Sequence, residues 1–552
     1  MSSSKQTLAF FFFLLCVITA KSQEQFAYRI GFTDKNGAPS IANPLSFLSQ
    51  RAIDRRTKFS NAIEETDRPI SPLYLDTVLS LTQGKLHVTS RWLNQCVVLL
   101  NDSSKIHLLQ GKGFISSIQY IAYYINGLHL VAADNDGKTE TSFQQKTTAD
   151  PGYYNNTWNQ TSLVHGECLH DLGFKGNGKI IAVLDDGFNY VNSAVGFDSL
   201  MAKGNVVDKR NFALANNNVY GYGAHGTTVI STIIGNMPNN YIGAAIDAQI
   251  ALYITEDNTS EKAIEMDNYL AGLERADSLG ADIATSSLGY NYFDAPFPSL
   301  TYNDIDGKTT VAATAANIAT QKGMLVIVSA GNEGGNSWNK ILTPGDADSA
   351  LTIGSVDNNK SVAPNSGYGP NAANILKPDI CVQGYPAQVL ANGPNPYSTN
   401  GTSVSTPQVA GYAACLMQAY PQKTPAQVKE AICRSSHLYT SPNNHAGYGV
   451  PHFCNALTIL DVEDVNLQNN IEVAPNPCNG TFTISFENHG NKTVEVILHS
   501  VDGKEIVHQQ IKTIEGKNSL QITLPENITS GIYLGNIIGN EGMKLFKIMT
   551  FK

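Results

Sequence analysis

Three residues of the types used in nucleophilic catalysis stand beside or near glycine in this chain. Asp185, His225 and Ser403 lie in the segments DDG, HGT and GTS. A serine hydroxyl is a weak nucleophile until an imidazole removes its proton, and the imidazole needs a carboxylate that fixes its tautomer and stabilises its protonated form. The set therefore predicts an activated serine. Because only the neutral imidazole accepts that proton, we expect activity to rise at about pH 6–7.5, around the ordinary histidine pKa of about 6.5.

Two predicted strands would deliver polar groups to a common edge. Asp185 ends the buried apolar run Ile180–Leu184, and Asn332 follows the similar run Leu325–Val328. Open α/β sheets form their sites at the carboxyl ends of the strands. The Asn332 amide could donate a hydrogen bond to an oxyanion alongside the backbone N–H of Ser403.

The other two residues stand at predicted helix starts. His225 opens the apolar helical run Val229–Ile234, and Ser403 precedes a predicted helix over Gln408–Tyr420. Backbone amides at a helix N-terminus favour negative charge that develops near them, which suits a nucleophilic serine.

The order of the three residues along the chain separates classes of hydrolase. α/β-Hydrolases run Ser…Asp…His with G-x-S-x-G, whereas residues 401–405 read GTSVS and lack the second glycine. Chymotrypsin-like enzymes run His…Asp…Ser, so the order Asp…His…Ser is that of the subtilisins. A lipase or esterase is the disfavoured alternative. An inactive relative that serves as a binding module is another.

At these segments the chain resembles the subtilisin-like serine peptidases, the subtilase family, over roughly residues 160–460. The resemblance implies an endopeptidase that hydrolyses peptide bonds of proteins or peptides through an Asp-His-Ser charge relay and an acyl-enzyme intermediate. Carried over by motif, the implied site consists of the catalytic residues Asp185, His225 and Ser403, the oxyanion-hole residue Asn332, and the substrate-pairing strand Ser287, Leu288 and Gly289. Asp186 and Thr228 depart from the family pattern, in which Ser/Thr and a second His are usual. Both departures put rate and fine geometry in question more than mechanism.

The pattern of apolar residues along the sequence predicts the fold class. Between about 161 and 460, continuous apolar strands alternate with helical patterns, such as a helix over Glu261–Leu279 and another capped at Thr424. This alternation predicts an α/β domain with a parallel sheet covered by helices on both faces, and we assign it to residues 151–460. Residues 471–552 alternate apolar and polar side chains and predict a small all-β, sandwich-like domain.

The N-terminal region divides into three predicted parts. Lys5, the apolar run Leu8–Ile18 and small residues before position 23 predict a signal peptide over residues 1–22. Residues 23–150 predict an α+β domain that resembles a subtilase propeptide, with a polar, exposed linker over Asp134–Gln160 that a protease could reach. A permanent accessory domain is the alternative.

Residues 471–552 resemble the C-terminal sorting domain of the type IX secretion system. The resemblance rests on the segments Ala474–Pro477, Ser500–Lys504 and Ser530–Leu534. It implies export through the outer membrane to the cell surface or medium, with the type IX machinery as a partner. A generic β-sandwich binding module is the alternative.

Composition excludes other classes. Lys+Arg 37 against Asp+Glu 47 gives a net charge of −10, which argues against a nucleic-acid partner. No segment after the signal is apolar over about 18 residues, so no transmembrane segment is predicted in the mature protein.

Cysteine usage predicts neither a metal site nor a redox motif. No CxxC pair occurs, so we predict no structural zinc site and no other cofactor; structural calcium is left open. Among seven cysteines beyond the signal, Cys433–Cys454 is a candidate disulfide, with buried free thiols as the favoured alternative.

Overall fold

The chain forms an N-terminal antiparallel sheet, a central parallel sheet and C-terminal antiparallel sheets, in that order. The computed structural model describes residues 24–125, 152–468, 471–488, 493–500, 504–526, 528–529, 531–539 and 542–550. The predicted signal peptide 1–22 and residues 134–151 of the predicted linker lie outside the described residues.

The N-terminal unit is a four-stranded antiparallel sheet with two helices. Its strands pair in the order β2-β3-β1-β4. They are β1 (Gln25–Phe32), β2 (Lys85–Ser90), β3 (Gln95–Leu100) and β4 (Ile115–Tyr124), and the helices are α1 (Gln50–Lys58) and α2 (Pro72–Thr82). Each helix starts after a serine whose hydroxyl accepts a backbone N–H, Ser49 before α1 and Ser71 before α2. This unit is the predicted α+β domain.

The central sheet has seven strands, and every neighbouring pair is parallel. Their order is β13-β12-β11-β10-β5-β9-β6. They are β5 (Ile180–Asp185), β6 (Val206–Asn211), β9 (Gln249–Ile254), β10 (Ile283–Ser286), β11 (Leu325–Ser329), β12 (Leu351–Val356) and β13 (Ile380–Gln383). Two short antiparallel pairs complete the unit, β7 (Asn236–Met237) with β8 (Tyr241–Ile242) and β14 (Ala387–Val389) with β15 (Tyr397–Thr399).

Helices cover both faces of this sheet, as predicted. They are α3 (Trp158–Leu163), α4 (Glu167–Asp171), α5 (Asp198–Ala202), α6 (His225–Ile234), α7 (Ile264–Leu279), α8 (Val311–Gln321), α9 (Thr402–Ala419), α10 (Pro425–Arg434) and α11 (Phe453–Gln468). Successive side chains of a strand point to opposite faces. Ile181 and Val183 of β5 therefore pack with α6, α9 and α10, while Ala182 and Leu184 pack with α7 and α8.

The C-terminal unit consists of two antiparallel sheets that share one core. Their orders are β16-β17-β20 and β19-β18-β21-β22. The strands are β16 (Glu472–Ala474), β17 (Thr481–Asn488), β18 (Thr493–Ser500), β19 (Glu505–Lys512), β20 (Gly516–Thr523), β21 (Gly531–Gly539) and β22 (Gly542–Thr550). Phe482 and Ile484 of the first sheet lie in the same core as Val496 and Leu498 of the second. The all-β, sandwich-like prediction is confirmed.

Two local predictions need correction. Residues 152–160 are not an exposed linker: they form a 3-10 turn and the start of α3, and Thr157 and Gln160 are buried. The Thr157 hydroxyl donates to Ile242 O (3.0 Å), and the Gln160 amide oxygen accepts the N–H of Gln388 (2.7 Å). These hydrogen bonds tie the segment to the central unit.

The candidate disulfide Cys433–Cys454, the less favoured of the two alternatives, does not form. Cys454 pairs with Cys168, 286 residues away in sequence, because α11 packs beside α4. Cys433 is a free thiol in the main core, and the remaining free cysteines of the described chain are buried as well. The alternative of buried thiols therefore describes every cysteine of those residues except this pair.

The N-terminal unit packs on α7 through complementary charges. Arg55, Arg56 and Arg91 all donate to the carboxylate of Asp277, with Arg56 at 2.8 Å and Arg91 at 2.7 Å. The Asp277 side chain is 0% exposed, and the three arginine side chains are 9% exposed or less. Glu274, one turn before, accepts the backbone N–H of Arg91 at 3.0 Å. The Asp277 carboxylate thus binds all three guanidinium groups of this buried cluster, and Asp67 also pairs with Arg56 at 3.1 Å.

Replacement of Asp277 by Asn should therefore destabilise the full-length protein strongly. Removing one partner of a buried ion pair leaves the other charge uncompensated and costs about 3–5 kcal/mol. Urea unfolding of the full chain would measure this loss. The matched control is Asp247→Asn, which breaks the surface pair of Asp247 with Lys203, whose side chains are 34% and 46% exposed. Such a pair is worth at most about 1 kcal/mol. Equal effects of the two variants would contradict the proposed role of the cluster.

Candidate active site

The four residues predicted to do chemistry lie along the carboxyl edge of the parallel sheet. β5 ends at Asp185, and β11 ends three residues before Asn332. α6 begins at His225, and α9 begins at Thr402, beside Ser403. Helices α6 and α9 pack against each other and against β5, so the first turns of both lie at the same edge. The fold thus concentrates residues from four separate segments.

Asp185 and His225 form a hydrogen-bonded pair. Asp185 Oδ1 lies 2.7 Å from His225 Nδ1, and the same oxygen accepts the backbone N–H of Asp186 at 2.9 Å. The aspartate side chain is 0% exposed, whereas the imidazole is 39% exposed. A buried carboxylate on Nδ1 fixes the tautomer and leaves Nε2 to exchange a proton.

Asn332 and Ser403 approach a common point. The Thr402 N–H donates to Asn332 Oδ1 at 2.9 Å, and the Thr402 hydroxyl does so at 3.1 Å. These bonds occupy the amide oxygen and leave the Nδ2 donor for another partner. Gly401 has φ +151°, and a Cβ there would lie 3.1 Å from Ser403 Oγ and 3.5 Å from Asn332 Nδ2. Glycine thus leaves space between the hydroxyl and the amide.

Ser403 and His225 are not joined by a hydrogen bond in the described residues. The two side chains belong to adjacent helix starts at the same edge. Catalytic hydrogen bonds are often long without substrate and tighten when it binds. The structure therefore brings Asp185 into a hydrogen bond with His225 and Asn332 into hydrogen bonds with Thr402, the neighbour of Ser403, at one edge of the sheet.

The predicted substrate strand continues from β10, which ends at Ser286. The Ser287 hydroxyl donates to the backbone carbonyl of Ser403 at 2.8 Å, and the Leu288 carbonyl accepts the Ser329 hydroxyl at 3.1 Å. These bonds fix residues 287–289 beside the candidate nucleophile. Gly289 completes the segment, and a Cβ there would lie 2.7 Å from the Leu342 side chain.

Three carboxylates shape the charge of the imidazole. Burial lowers the pKa of His225, but the nearby carboxylates of Asp185, Asp186 and Glu256 outweigh burial and raise it to about 9. Burial raises the pKa of Glu256 to about 8. The ionisation expected near the ordinary histidine pKa therefore moves to higher pH.

Within the described residues, one group of three ligand-type side chains comes within 4.8 Å of one another, and it consists of Asp185, Asp186 and His225. Because His225 Nδ1 already bonds Asp185, this closeness reflects the Asp–His pair.

The sequence analysis missed two residues that influence the candidate site. Thr402 orients the Asn332 amide, and its place inside the GTS motif was the available signal. Glu256 lies just beyond β9 and accepts the Tyr290 hydroxyl at 2.8 Å. Glu256 influences His225 because β9 lies next to β5 in the sheet. The local sequence around Glu256 does not show which strand is its neighbour.

Comparison with known proteins agrees with this architecture. The profile of the subtilase family matches residues 176–449. A profile described as the peptidase S8 propeptide domain of Bacteroidota matches residues 27–139, and the secretion system C-terminal sorting domain matches residues 472–550.

Subtilisin BL and subtilisin Savinase of Lederbergia lenta are similar to this chain. Each is 30% identical over 284 residues, covering 51% of this chain and 92% of the relative. An alkaline protease of Shouchella clausii is 30% identical over 284 residues, which is 65% of its length. The fold and its edge site define a serine peptidase. The chain belongs to the subtilase family.

One solved protein structure is similar to this chain in fold. The epidermin leader peptide processing serine protease of Staphylococcus aureus superposes with a TM-score of 0.55 at 16% identity, covering 79% of this chain and 98% of that one. At this identity the likeness concerns the fold alone.

The flanking domains set the location of the enzyme. With its type IX sorting domain, the protein is secreted or attached to the cell surface. No helix within the described ranges has the length and apolarity needed to cross a membrane.

Replacement of Asn332 by Ala should lower kcat by about 10²–10³-fold and leave KM nearly unchanged, if its amide donates to the oxyanion. Steady-state kinetics on a peptide substrate would measure both constants. Asn365→Ala is the matched control, since the Asn365 amide reaches Asn332 Oδ1 only at 3.4 Å and Thr402 still orients the group. A change confined to KM would place Asn332 in ground-state binding instead.

Proposed function

We propose that this subtilase is an active endopeptidase that cleaves peptide bonds through an Asp185–His225–Ser403 charge relay. The proposal rests mainly on the 2.7 Å hydrogen bond between buried Asp185 and half-exposed His225, at the sheet edge that also holds Ser403. The family shows the class of enzyme, and this arrangement supports the assignment of roles.

In the proposed first step, His225 Nε2 removes the Ser403 Oγ proton while Oγ forms a bond to the scissile carbonyl carbon. Asp185 stabilises the imidazolium that results. The carbonyl electrons move to oxygen, which Asn332 Nδ2 and the Ser403 N–H stabilise. Collapse expels the amine, protonated by His225, and leaves an acyl-enzyme that water hydrolyses by the same steps. Nucleophile, base and oxyanion donors all come from the chain, so we propose that this chemistry needs no cofactor.

We propose that an extended peptide binds along residues 287–289. A backbone segment next to a sheet edge can pair with an extended substrate through main-chain hydrogen bonds. The Ser287–Ser403 hydrogen bond supports this placement, because it ties the segment to the nucleophile itself.

We also propose that the propeptide domain is removed by self-cleavage. Residues 152–160 are hydrogen-bonded into the central unit, so we narrow the predicted cleavage window to residues 134–151. The charged packing on α7 would keep the domain folded on the enzyme until cleavage.

Ser403→Ala should abolish peptidase activity and leave the protein folded. Loss of a triad residue leaves only about 10³–10⁴-fold acceleration over water. Casein and peptide hydrolysis would report activity, and circular dichroism would report the fold. Ser278→Ala is the matched control, because the Ser278 hydroxyl donates to Glu274 O at 2.8 Å within α7, away from the proposed chemistry. Ser403→Ala turnover near wild type would refute the nucleophile assignment.

The mature protein should begin between residues 134 and 152, and Ser403→Ala should accumulate uncleaved when expressed without other proteases. N-terminal sequencing and intact mass of both proteins would test this. A mature N-terminus inside α3, or normal processing of Ser403→Ala in a purified system, would contradict self-cleavage in this window.

A further inference from the structure

Asp186 is a second carboxylate beside the imidazole, at a position where subtilases usually carry Ser or Thr. One oxygen of Asp186, one of Asp185 and one nitrogen of His225 all lie within 4.8 Å of one another. Asp186 Oδ1 also accepts the backbone N–H of Gly226, directly after the histidine, at 3.3 Å. The side chain is therefore attached to the helix start that carries the base.

The loop before His225 leaves space for this carboxylate. Gly223 has φ +22°, and a Cβ at this position would lie 2.4 Å from the carboxyl carbon of Asp186. The backbone N–H of Asn189 and the carbonyl of Gly223 form a hydrogen bond of 3.1 Å that fixes the loop. A side chain on residue 223 would displace the carboxylate, so the close approach depends on glycine.

The titratable groups that act on His225 come from the ends of two neighbouring strands. Asp185 ends β5, Asp186 follows it, and Glu256 lies beyond the end of the neighbouring strand β9. All three are acidic. Only Asp185 is hydrogen-bonded to the ring, so Asp186 acts on it through charge.

We propose that Asp186 is a positioning residue whose negative charge keeps the proton on His225 and moves the pH range of catalysis toward alkaline values. The inference rests on the proposed function, in which neutral His225 is the base. An opposite charge within about 4–6 Å favours the charged form of a group and shifts its pKa by at least about one unit.

The pKa values of Asp186 and His225 give the direction in which the Asp186 charge shifts the pH profile. Burial and the Asp185 charge raise the pKa of Asp186 to about 7, while the pKa of His225 rises to about 9. Between these values Asp186 is ionised and His225 is protonated, so the base is occupied. Activity should rise only as pH increases through the pKa of His225. Removal of the Asp186 charge should let His225 lose its proton at lower pH.

The test is the pH profile of kcat/KM for the wild type, Asp186→Asn and Asp186→Ser. Both variants should move the acid limb down by about one pH unit. Between the pKa of Asp186, about 7, and the limb, each variant should reach an up to roughly tenfold larger fraction of its own plateau, since one unit is tenfold in protonation. Glu430→Gln removes the same charge from an exposed position on α10 and should leave the limb in place.

A second readout does not depend on activity. In the Ser403→Ala background, NMR titration of the His225 imidazole should show a pKa about one unit lower when Asp186 is replaced by Asn. Unchanged limbs and an unchanged imidazole pKa in both variants would overturn the proposal. Failure of both variants to fold would also overturn it, because Asp186 would then be structural. Wild-type turnover by Ser403→Ala would instead refute the proposed function, while the NMR result would stand separately.

Discussion

The hydrogen bond between Asp185 and His225 is the interaction on which the site depends. A fully buried carboxylate is costly unless it is hydrogen-bonded and charge-compensated. Here the Asp186 N–H and the His225 imidazole supply those contacts at 2.9 and 2.7 Å. The pair exists because β5 ends at the sheet edge where α6 begins. The parallel sheet therefore fixes the tautomer of His225.

The same sheet connects the site to the propeptide domain on its other side. Leu184 of β5 packs in one core with α7 and with residues of the N-terminal sheet, such as Val97 and Leu99. On the outer surface of α7, Asp277 binds three arginines of that domain. The helix that covers one face of β5 is therefore also the surface on which the propeptide domain packs. Charge complementarity there specifies the docking, because each buried arginine needs its carboxylate.

Sequence reasoning succeeded where local pattern determines structure. The apolar runs of β5 and β11 predicted strands whose ends carry Asp185 and lead to Asn332, and Thr424 predicted the cap that starts α10. The family motifs gave the candidate site, since each motif is contiguous. The structure brings those candidates to one edge of the central sheet.

Sequence-based prediction failed where the contact that determines the structure joins residues distant in sequence. The partner of Cys454 is 286 residues away, and only the packing of α11 on α4 selects it. Residues 152–160 are polar, yet hydrogen bonds to Ile242 and Gln388 hold them in the fold. The pKa of His225 is raised mainly by Asp185, but a smaller contribution comes from Glu256, which reaches the site through the pairing of β9 with β5.

The central claim is that Ser403 is a nucleophile activated by the Asp185–His225 pair. Labelling of the full-length protein with a fluorophosphonate, followed by peptide mapping, tests it most directly because only an activated serine reacts. The account predicts one modified residue, Ser403, and loss of labelling when Asp185 is replaced by Asn, since the neutral amide no longer stabilises the imidazolium. An unlabelled wild-type protein, or equal labelling of Asp185→Asn, would contradict it.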